Sequence, residues 1–154
     1  MVGPRAYNTY MNDKSAAAAT GLLPLLHAAA TAEAYVELKL GAADLSLAKL
    51  AALSALLDAG ESLPLGQLAE RLSCVKSNVT QLVDRLEADG LVRRRPDPHD
   101  RRTRLAVVTA AGRKACKEGR RIQQQTERDL FGALTGAEAR QLATLMGKVT
   151  PGPR

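Results

Sequence analysis

The sequence predicts a mainly α-helical protein of the α+β class, in which one short β-hairpin interrupts a series of helices. Apolar residues recur at intervals of three and four over most of the chain, as they do on the buried face of a helix. One stretch, between residues 91 and 109, instead alternates in the manner of two strands around a turn rich in proline and aspartate. Aromatic residues make up only 3% of the 154 residues, so Leu, Val and Ala must form the core, a composition that favours helices.

Start and stop signals divide the first third of the chain into an arm and two helices. Residues 1–14 show no periodicity and predict a flexible arm. The alanine-rich stretch from Ser15 begins a helix that Gly41 ends. Ser46 is a good N-cap for a second helix, which stops at Gly60. A chain of this length is expected to form one globular domain with a hydrophobic core.

The segment 65–109 predicts two short helices followed by a basic hairpin. Only residues 73–75 separate the helices, and this helix-turn-helix arrangement allows the second helix to lie in a DNA major groove. The hairpin is expected to be a wing, and Leu63 to add a short third strand. The sequence therefore predicts a winged helix-turn-helix fold. The positions expected to face the core are Leu65, Leu68, Ala69 and Leu72 of the first helix and Val79, Leu82, Val83 and Leu86 of the second.

Two further helices are predicted after the hairpin. Thr109 can cap a long helix over residues 110–133, and its apolar stripe is narrow, as in a contact between two helices. Thr135 and Glu138 have the spacing of a capping box for a last helix, whose apolar positions continue to Val149. The stripe of the long helix consists of Ala115, Ile122, Leu130, Phe131 and Leu134.

The net charge of +6 is concentrated on the hairpin and the helix after it. Residues 91–128 contain twelve Lys or Arg and four Asp or Glu, whereas the remainder has ten and twelve. Six of the arginines fall within the hairpin itself. This location predicts a surface that attracts a polyanion such as double-stranded DNA.

Several classes of protein are disfavoured by the residues that the chain lacks. Cys74 and Cys116 are too few for a disulfide framework, so reduced, partly buried thiols are expected. No apolar run approaches the roughly 20 residues of a membrane span, and no signal peptide begins the chain, so we expect a cytoplasmic protein without a membrane partner. His27 and His99 are the only histidines, without catalytic or metal-ligand spacing, so we expect no enzyme, no cofactor and no metal.

The outer face of the second short helix carries side chains that suit a DNA groove. Amides can pair with adenine edges, hydroxyls with phosphates or bases, and cations with phosphates or guanine. Asp84, Glu87 and Asp89 would repel phosphate and are expected to point away from DNA. The candidates for the major groove are Lys76, Ser77, Asn78, Thr80, Gln81 and Arg85.

The tip of the hairpin supplies candidates for the narrow, electronegative minor groove, because an inserted arginine fits that groove. They are Arg101, Arg102 and Arg104. Asp100 lies two residues before Arg102, where it can hold the guanidinium by a charge-assisted bond, form the turn, or do both.

Two stretches of the chain resemble the MarR family of bacterial transcriptional regulators. They are residues 77–92 (SNVTQLVDRLEADGLV) and 97–112 (DPHDRRTRLAVVTAAG), and the order of helices on both sides agrees. The resemblance implies a winged-helix homodimer that binds a pseudo-palindromic operator, usually as a repressor, and that a small phenolic or lipophilic ligand or an oxidant releases. The family's Asp and minor-groove Arg match Asp100 and Arg102.

The resemblance also assigns regions to the chain. Residues 15–45 would be an N-terminal dimerisation helix, 46–109 the winged helix-turn-helix DNA-binding region and 110–150 the C-terminal dimerisation helices, after the flexible arm 1–14. An effector pocket would lie between the dimerisation helices and the winged helix. Its candidate residues are Leu26, His27 and Tyr35, and a core position is the alternative for His27.

The turn between the two short helices departs from the family pattern of Gly, an apolar residue and a capping Ser. Here Ser73, Cys74 and Val75 stand in those places, so we expect Ser73 or Ser77 to provide the cap and Cys74 to pack as an apolar residue. A thiol-based redox regulator through Cys74 is an alternative, because a helix N-terminus can lower the pKa of a thiol. A further alternative is a winged helix used for protein contacts or for non-specific DNA binding.

Overall fold

A computed structural model describes residues 21–98, 100 and 102–149 of the chain. It confirms the predicted fold class, with helices around a small antiparallel sheet. None of the helices in the described part of the chain is long and apolar enough to cross a membrane. In chain order the elements are α1 (Leu22–Gly41), α2 (Leu47–Asp58), β1 (Ser62–Pro64), α3 (Leu65–Arg71), α4 (Lys76–Ala88), β2 (Val92–Pro96), β3 (Arg104–Val108), α5 (Ala110–Phe131) and α6 (Gly136–Val149).

Contacts within the chain divide it into two units, 1–34 and 35–154. The described part of the first unit is the N-terminal portion of α1, which continues to Gly41 in the second. The arm predicted for residues 1–14 lies outside the described residues. The second unit contains the hydrophobic core, in which leucines of α2 pack with residues of α3, α4, the sheet and α5.

Two side chains hold the beginning of α2. Ser46 is its N-cap, as predicted, and the hydroxyl oxygen accepts the backbone N–H of Lys49 at 3.1 Å. The Glu37 carboxylate of α1 accepts the backbone N–H of Leu47 at 3.0 Å. Together they satisfy two amides of the first turn that have no partner within the helix.

Helices α3 and α4 form the predicted helix-turn-helix. Leu68 and Ala69 of α3 and Val79, Val83 and Leu86 of α4 are buried in the core, whereas Leu65, Leu72 and Leu82 are partly buried at its edge. Ser73 turns the chain between the helices in the left-handed region, with φ of 51°. Pro64 is both the last residue of β1 and the N-cap residue of α3.

The sheet has the order β1–β3–β2, and both pairings are antiparallel. The third strand predicted at Leu63 is confirmed, and Ala106 of β3 stands between Leu63 on one side and Arg94 on the other. Ala106, Val108 and Val92 are buried, so one face of the sheet closes the core beside α2. Strand β2 is left at the edge.

Helix α5 begins at the predicted cap, where the Thr109 hydroxyl accepts the backbone N–H of Gly112 at 3.0 Å. Its buried positions are small residues, namely Gly112, Cys116, Gly119 and Thr126. Of the predicted apolar stripe, Ala115 and Ile122 are partly buried at the edge of the core, whereas Phe131 and Leu134 are exposed in the single chain. The buried positions are small because α5 lies close to its neighbours at Gly112 and Gly119.

Gly112 is the tightest point of this contact. A Cβ there would lie 2.1 Å from the carbonyl oxygen of Leu91 and 2.9 Å from the side chain of Val108. At Gly119 the nearest atoms belong to the flexible side chains of Leu50 and Leu45. Since the backbone at Leu91 cannot give way as a side chain can, Gly112 sets the distance between α5 and the sheet.

Replacing Gly112 by alanine is expected to lower the thermal unfolding temperature. Alanine favours the helix by up to about 1 kcal/mol, but the clash with the Leu91 carbonyl outweighs this, since overpacking costs about 1–3 kcal/mol. Gly66→Ala in α3 is the matched control, because a Cβ there meets nothing within 4 Å. If both variants unfold at or above the temperature of the unmodified chain, the close contact at Gly112 does not limit the fold.

Candidate nucleic-acid interface

The polar face of α4 is exposed along its length. The helix turns Val79, Val83 and Leu86 into the core, as expected from their spacing. The six residues proposed for the major groove, Lys76, Ser77, Asn78, Thr80, Gln81 and Arg85, are all exposed. The Thr80 hydroxyl donates to the carbonyl oxygen of Lys76 at 3.0 Å, so it is the one member of this set tied back to the helix in a described hydrogen bond.

The N-terminus of α4 has no side-chain cap. Val75 is the N-cap residue, with an extended backbone, and the expectation that Ser73 or Ser77 would cap the helix was wrong. The reason is their position: Ser73 has a left-handed backbone within the turn, and Ser77 is already inside the helix. The helix therefore presents its first N–H groups beside exposed Lys76 and Ser77, an arrangement that suits a phosphate oxygen.

The carboxylates near the C-terminal end of α4 are held by cations from other elements. Arg94 of β2 lies 2.6 Å from Asp84 and 2.7 Å from Glu87, measured from nitrogen to oxygen. Lys49 of α2 lies 2.7 Å from Asp89. The three acids expected to point away from DNA are thus each ion-paired, and the two cations offset two of their three negative charges.

Glu87 makes a second kind of bond to Arg94. Its Oε1 accepts the backbone N–H of Arg94 at 2.9 Å, and its Oε2 accepts the guanidinium. The backbone N–H of Arg94 is the main reason that the pKa of Glu87 lies below its ordinary value of 4.5, and the guanidinium lowers it further. Glu87 is therefore ionised at neutral pH and holds both the main chain and the side chain of Arg94.

Asp100 organises the tip of the hairpin. Its Oδ1 accepts the backbone N–H of Arg102 at 2.9 Å, and its Oδ2 accepts the hydroxyl of Thr103 at 2.9 Å. The expected bond to the Arg102 guanidinium was wrong: in the described part of the chain this carboxylate binds the backbone N–H and the Thr103 hydroxyl and makes no ion pair with Arg102. Asp100 acts as the turn-former, which leaves the exposed Arg102 side chain available to a ligand.

Among the other residues proposed for the wing, the structure describes Arg104 but not Arg101. Arg104 is exposed at the beginning of β3, opposite Pro96 of β2. Arg101 and His99 lie outside the described residues. The main chain closes the tip through the N–H of Asp97, which donates to the carbonyl oxygen of Thr103 at 3.0 Å.

The residues proposed for an effector pocket do not line either groove described below. Leu26 is 55% exposed and His27 is exposed, so the alternative of a core histidine was wrong. Tyr35 is half-buried, and its hydroxyl donates to Asp129 at 3.5 Å while the Lys39 ammonium lies 5.0 Å from its ring centre. His27 lies in the same exposed part of α1 as Leu22, Leu23 and Leu26.

A groove that the sequence did not predict lies at the C-terminal end of α4. Its volume is about 630 Å³, and the Lys49–Asp89 ion pair forms part of its wall. Lys49 also donates to the backbone carbonyl of Asp44 at 3.1 Å. The lining residues are Ala43, Asp44, Leu45, Lys49, Asp89, Leu91 and Ala115. A second groove, of about 750 Å³, runs along the basic face of α5 next to Leu57.

The two cysteines differ in their surroundings. Cys74 is exposed in the turn before α4, so the expectation that it packs as an apolar residue was wrong. Leu68 and Val79, on either side of this turn, are buried in the core. Cys116 is fully buried, and its sulfur lies 3.5 Å from the Ser54 hydroxyl.

Comparison with known proteins shows which family and which solved structures the chain is similar to. The model of the MarR family matches residues 43–103. The HTH-type regulator YcgE of Bacillus subtilis is 35% identical over 83 residues, which are 54% of each chain. The multiple antibiotic resistance protein MarR of Escherichia coli is 33% identical over 86 residues, which are 55% of this chain and 60% of that protein. The chain thus spans little more than half the length of the curated relatives it matches.

Solved structures extend the likeness to most of the chain. A mutant of Escherichia coli MarR complexed with operator DNA is 25% identical, with a TM-score of 0.75, and the match covers 90% of this chain and all of the other. Bordetella bronchiseptica BpsR, whose DNA binding is regulated by 6-hydroxynicotinic acid, is 25% identical with a TM-score of 0.76, over 87% and 95% of the two chains.

Proposed function

Since this chain belongs to the MarR family of winged-helix transcriptional regulators, we propose that it binds a pseudo-palindromic DNA operator as a homodimer and represses transcription until a small effector releases it. The observation that carries the proposal is the recognition helix, α4, whose exposed polar face continues from an uncapped N-terminus. Arg102 and Arg104 on the adjacent hairpin supply the positive charge that DNA binding requires.

The major-groove part of the proposal depends on the first turns of α4. A recognition helix contacts base edges mainly through its N-terminal residues, and here those are Lys76, Ser77, Asn78 and Gln81. Asn78 and Gln81 can each offer a donor and an acceptor to adenine, whereas Lys76 suits a guanine edge or a phosphate. The exposed amides of the first turn would bind a backbone phosphate and fix the depth of the helix.

The minor-groove part depends on Arg102. Asp100 fixes the backbone at this position and leaves the guanidinium free of the carboxylate, so the side chain is available for an electronegative groove. The mode of contact distinguishes the two regions: bases read by α4 specify sequence, and Arg102 reads groove width.

Selection of binding sites from random DNA, followed by footprinting, tests the proposal directly. We expect one enriched palindrome and a bounded footprint. Arg102→Ala should weaken binding to that site by about 1–3 kcal/mol at about 0.15 M salt, because its groove contact is lost while the dimer stays folded. Arg128→Ala in α5, which removes the same charge away from the wing, is the control. Uniform, weak protection without a preferred sequence would support non-specific DNA binding instead.

The homodimer part of the proposal depends on α6. None of its residues is buried, although its apolar side chains repeat at helical spacing. Such an exposed apolar face on a helix is a common sign of a protein contact. The exposed apolar residues of this C-terminal region are Phe131, Leu134, Leu142, Leu145, Met146 and Val149, and those of α1 are Leu22, Leu23, Leu26 and Leu38.

Leu145→Glu is expected to convert the dimer into monomers, because it places a charge in the apolar face of α6. Gln141→Glu, which adds the same charge to a polar position of that helix, should leave the dimer intact. Sedimentation analysis measures the change, and circular dichroism should show a helical fold in both variants, since Leu145 is 49% exposed within one chain. A Leu145→Glu protein that remains dimeric would refute the role of this face.

The effector part of the proposal places a small acidic phenol or aromatic carboxylate in the groove beside Lys49. Such an anion would compete with Asp89 for the Lys49 ammonium. Because Asp89 is the C-cap residue of α4, this competition would release the end of the recognition helix. The groove has apolar walls at Leu45, Leu91 and Ala115 for the ring of the ligand.

Calorimetric titration with 6-hydroxynicotinic acid tests this site with two variants that should change the affinity for the anion in opposite directions. Asp89→Asn should strengthen binding of the anion, since Lys49 loses its competitor, and Lys49→Met should abolish it. Both variants break the same ion pair, so a mere loss of the pair predicts equal effects. Equal affinities in the two variants would contradict an anion site at Lys49.

A further inference from the structure

We propose that Arg94 is a positioning residue, which fixes the recognition helix against the wing so that the contacts in the two DNA grooves are made in one register. The inference rests on the proposed function, since it concerns how that DNA-binding surface is held together. Its basis is a set of four bonds between Arg94 in β2 and three residues of α4.

The guanidinium spans two turns of the recognition helix. Its Nη2 lies 2.6 Å from the Asp84 carboxylate and donates to the backbone carbonyl of Thr80 at 3.2 Å, whereas Nη1 donates to Glu87 at 2.7 Å. The three acceptors are four and three residues apart, so they lie on one face of the helix. A planar group that is held at three points along this face resists both rotation and sliding of α4.

The main chain of Arg94 adds a bond that no flexible side chain provides. Arg94 pairs with Ala106 of β3 in an edge strand, and its own N–H donates outward to Glu87 at 2.9 Å. The carboxylate therefore covers part of the strand edge. Because β2 continues to the tip that carries Arg102, this bond joins the helix directly to the wing.

The neighbouring arginines show that charge alone does not explain the arrangement. Arg93 and Arg95 are exposed, and no ion pair involving either is found in the described part of the chain. The side chain of Arg94 is only 23% exposed. Three consecutive arginines are thus separated by strand alternation into one that faces α4 and two that face solvent.

The position of the bonds explains the expected effect on recognition. The residues proposed to contact bases are at the N-terminal end of α4, whereas Arg94 holds positions 80 to 87. If that hold is loosened, the base-reading end moves relative to Arg102, and a site that demands both contacts loses affinity. Binding to unrelated DNA, which depends on phosphate charges, should change little.

Replacing Arg94 by lysine distinguishes the effect of a fixed position from the effect of the positive charge. Arg94→Lys keeps the positive charge beside Asp84 and Glu87 but cannot reproduce the planar fork. We expect the ratio of operator affinity to non-specific affinity to fall about tenfold, which corresponds to about 1.4 kcal/mol. The matched Arg95→Lys variant should leave this ratio unchanged. If the ratio is equal in the two variants while the unmodified chain is specific for its operator, the inference about Arg94 is wrong and the proposed function still stands.

A measurement without DNA distinguishes this failure from a failure of the proposed function. Residual dipolar couplings give the orientation of α4 relative to β2 and β3 in the free protein. We expect that orientation to change in Arg94→Lys and to stay the same in Arg95→Lys, at equal dimer content and with cooperative melting of both variants. An unchanged orientation in Arg94→Lys would overturn the inference whether or not the chain selects an operator.

Discussion

The proposed contact of α4 with DNA requires that the negative charges of the helix be offset, and this constraint governs the centre of the structure. Helix α4, with its C-cap, carries Asp84, Glu87 and Asp89, which follow directly after the residues that face outward. Arg94 from the sheet and Lys49 from α2 pair with all three. The same ion pairs that offset most of this negative charge also attach the helix on two sides, so one set of bonds both lowers repulsion of a polyanion and places the helix.

The position of the sheet depends in turn on small residues in α5. Gly112 allows the first turn of that helix to approach the Leu91 carbonyl, and the Thr109 hydroxyl at its N-cap donates to the backbone carbonyls of Gly90 and Leu91. Leu91 immediately precedes β2, which carries Arg94. The packing at the start of α5 therefore bears on α4 through Leu91, the strand that follows it and the bonds of Arg94.

Features that depend on residues close together in the sequence could be predicted from the sequence. Features that depend on contacts between residues far apart in the sequence could not. The caps at Ser46, Thr109 and Thr135 each join residues three apart, so the sequence alone reveals them. Nothing in the run of three arginines distinguishes Arg94, because its role depends on which side of β2 faces α4. The exposure of His27 and Cys74 likewise depends on faces that single-chain packing leaves uncovered.

The terminal helix shows how folding and assembly are linked in this protein. A helix of 14 residues is near the lower limit of stability in water, and α6 buries none of its side chains in the chain itself. The capping box between Thr135 and Glu138 favours its first turn, and the backbone N–H of Thr135 is the main cause that keeps the pKa of Glu138 below its ordinary value. Such local bonds contribute only about 1 kcal/mol. In the proposed homodimer the remaining stabilisation would come from burial of the apolar face against a second copy, so we expect the order of α6 to depend on protein concentration.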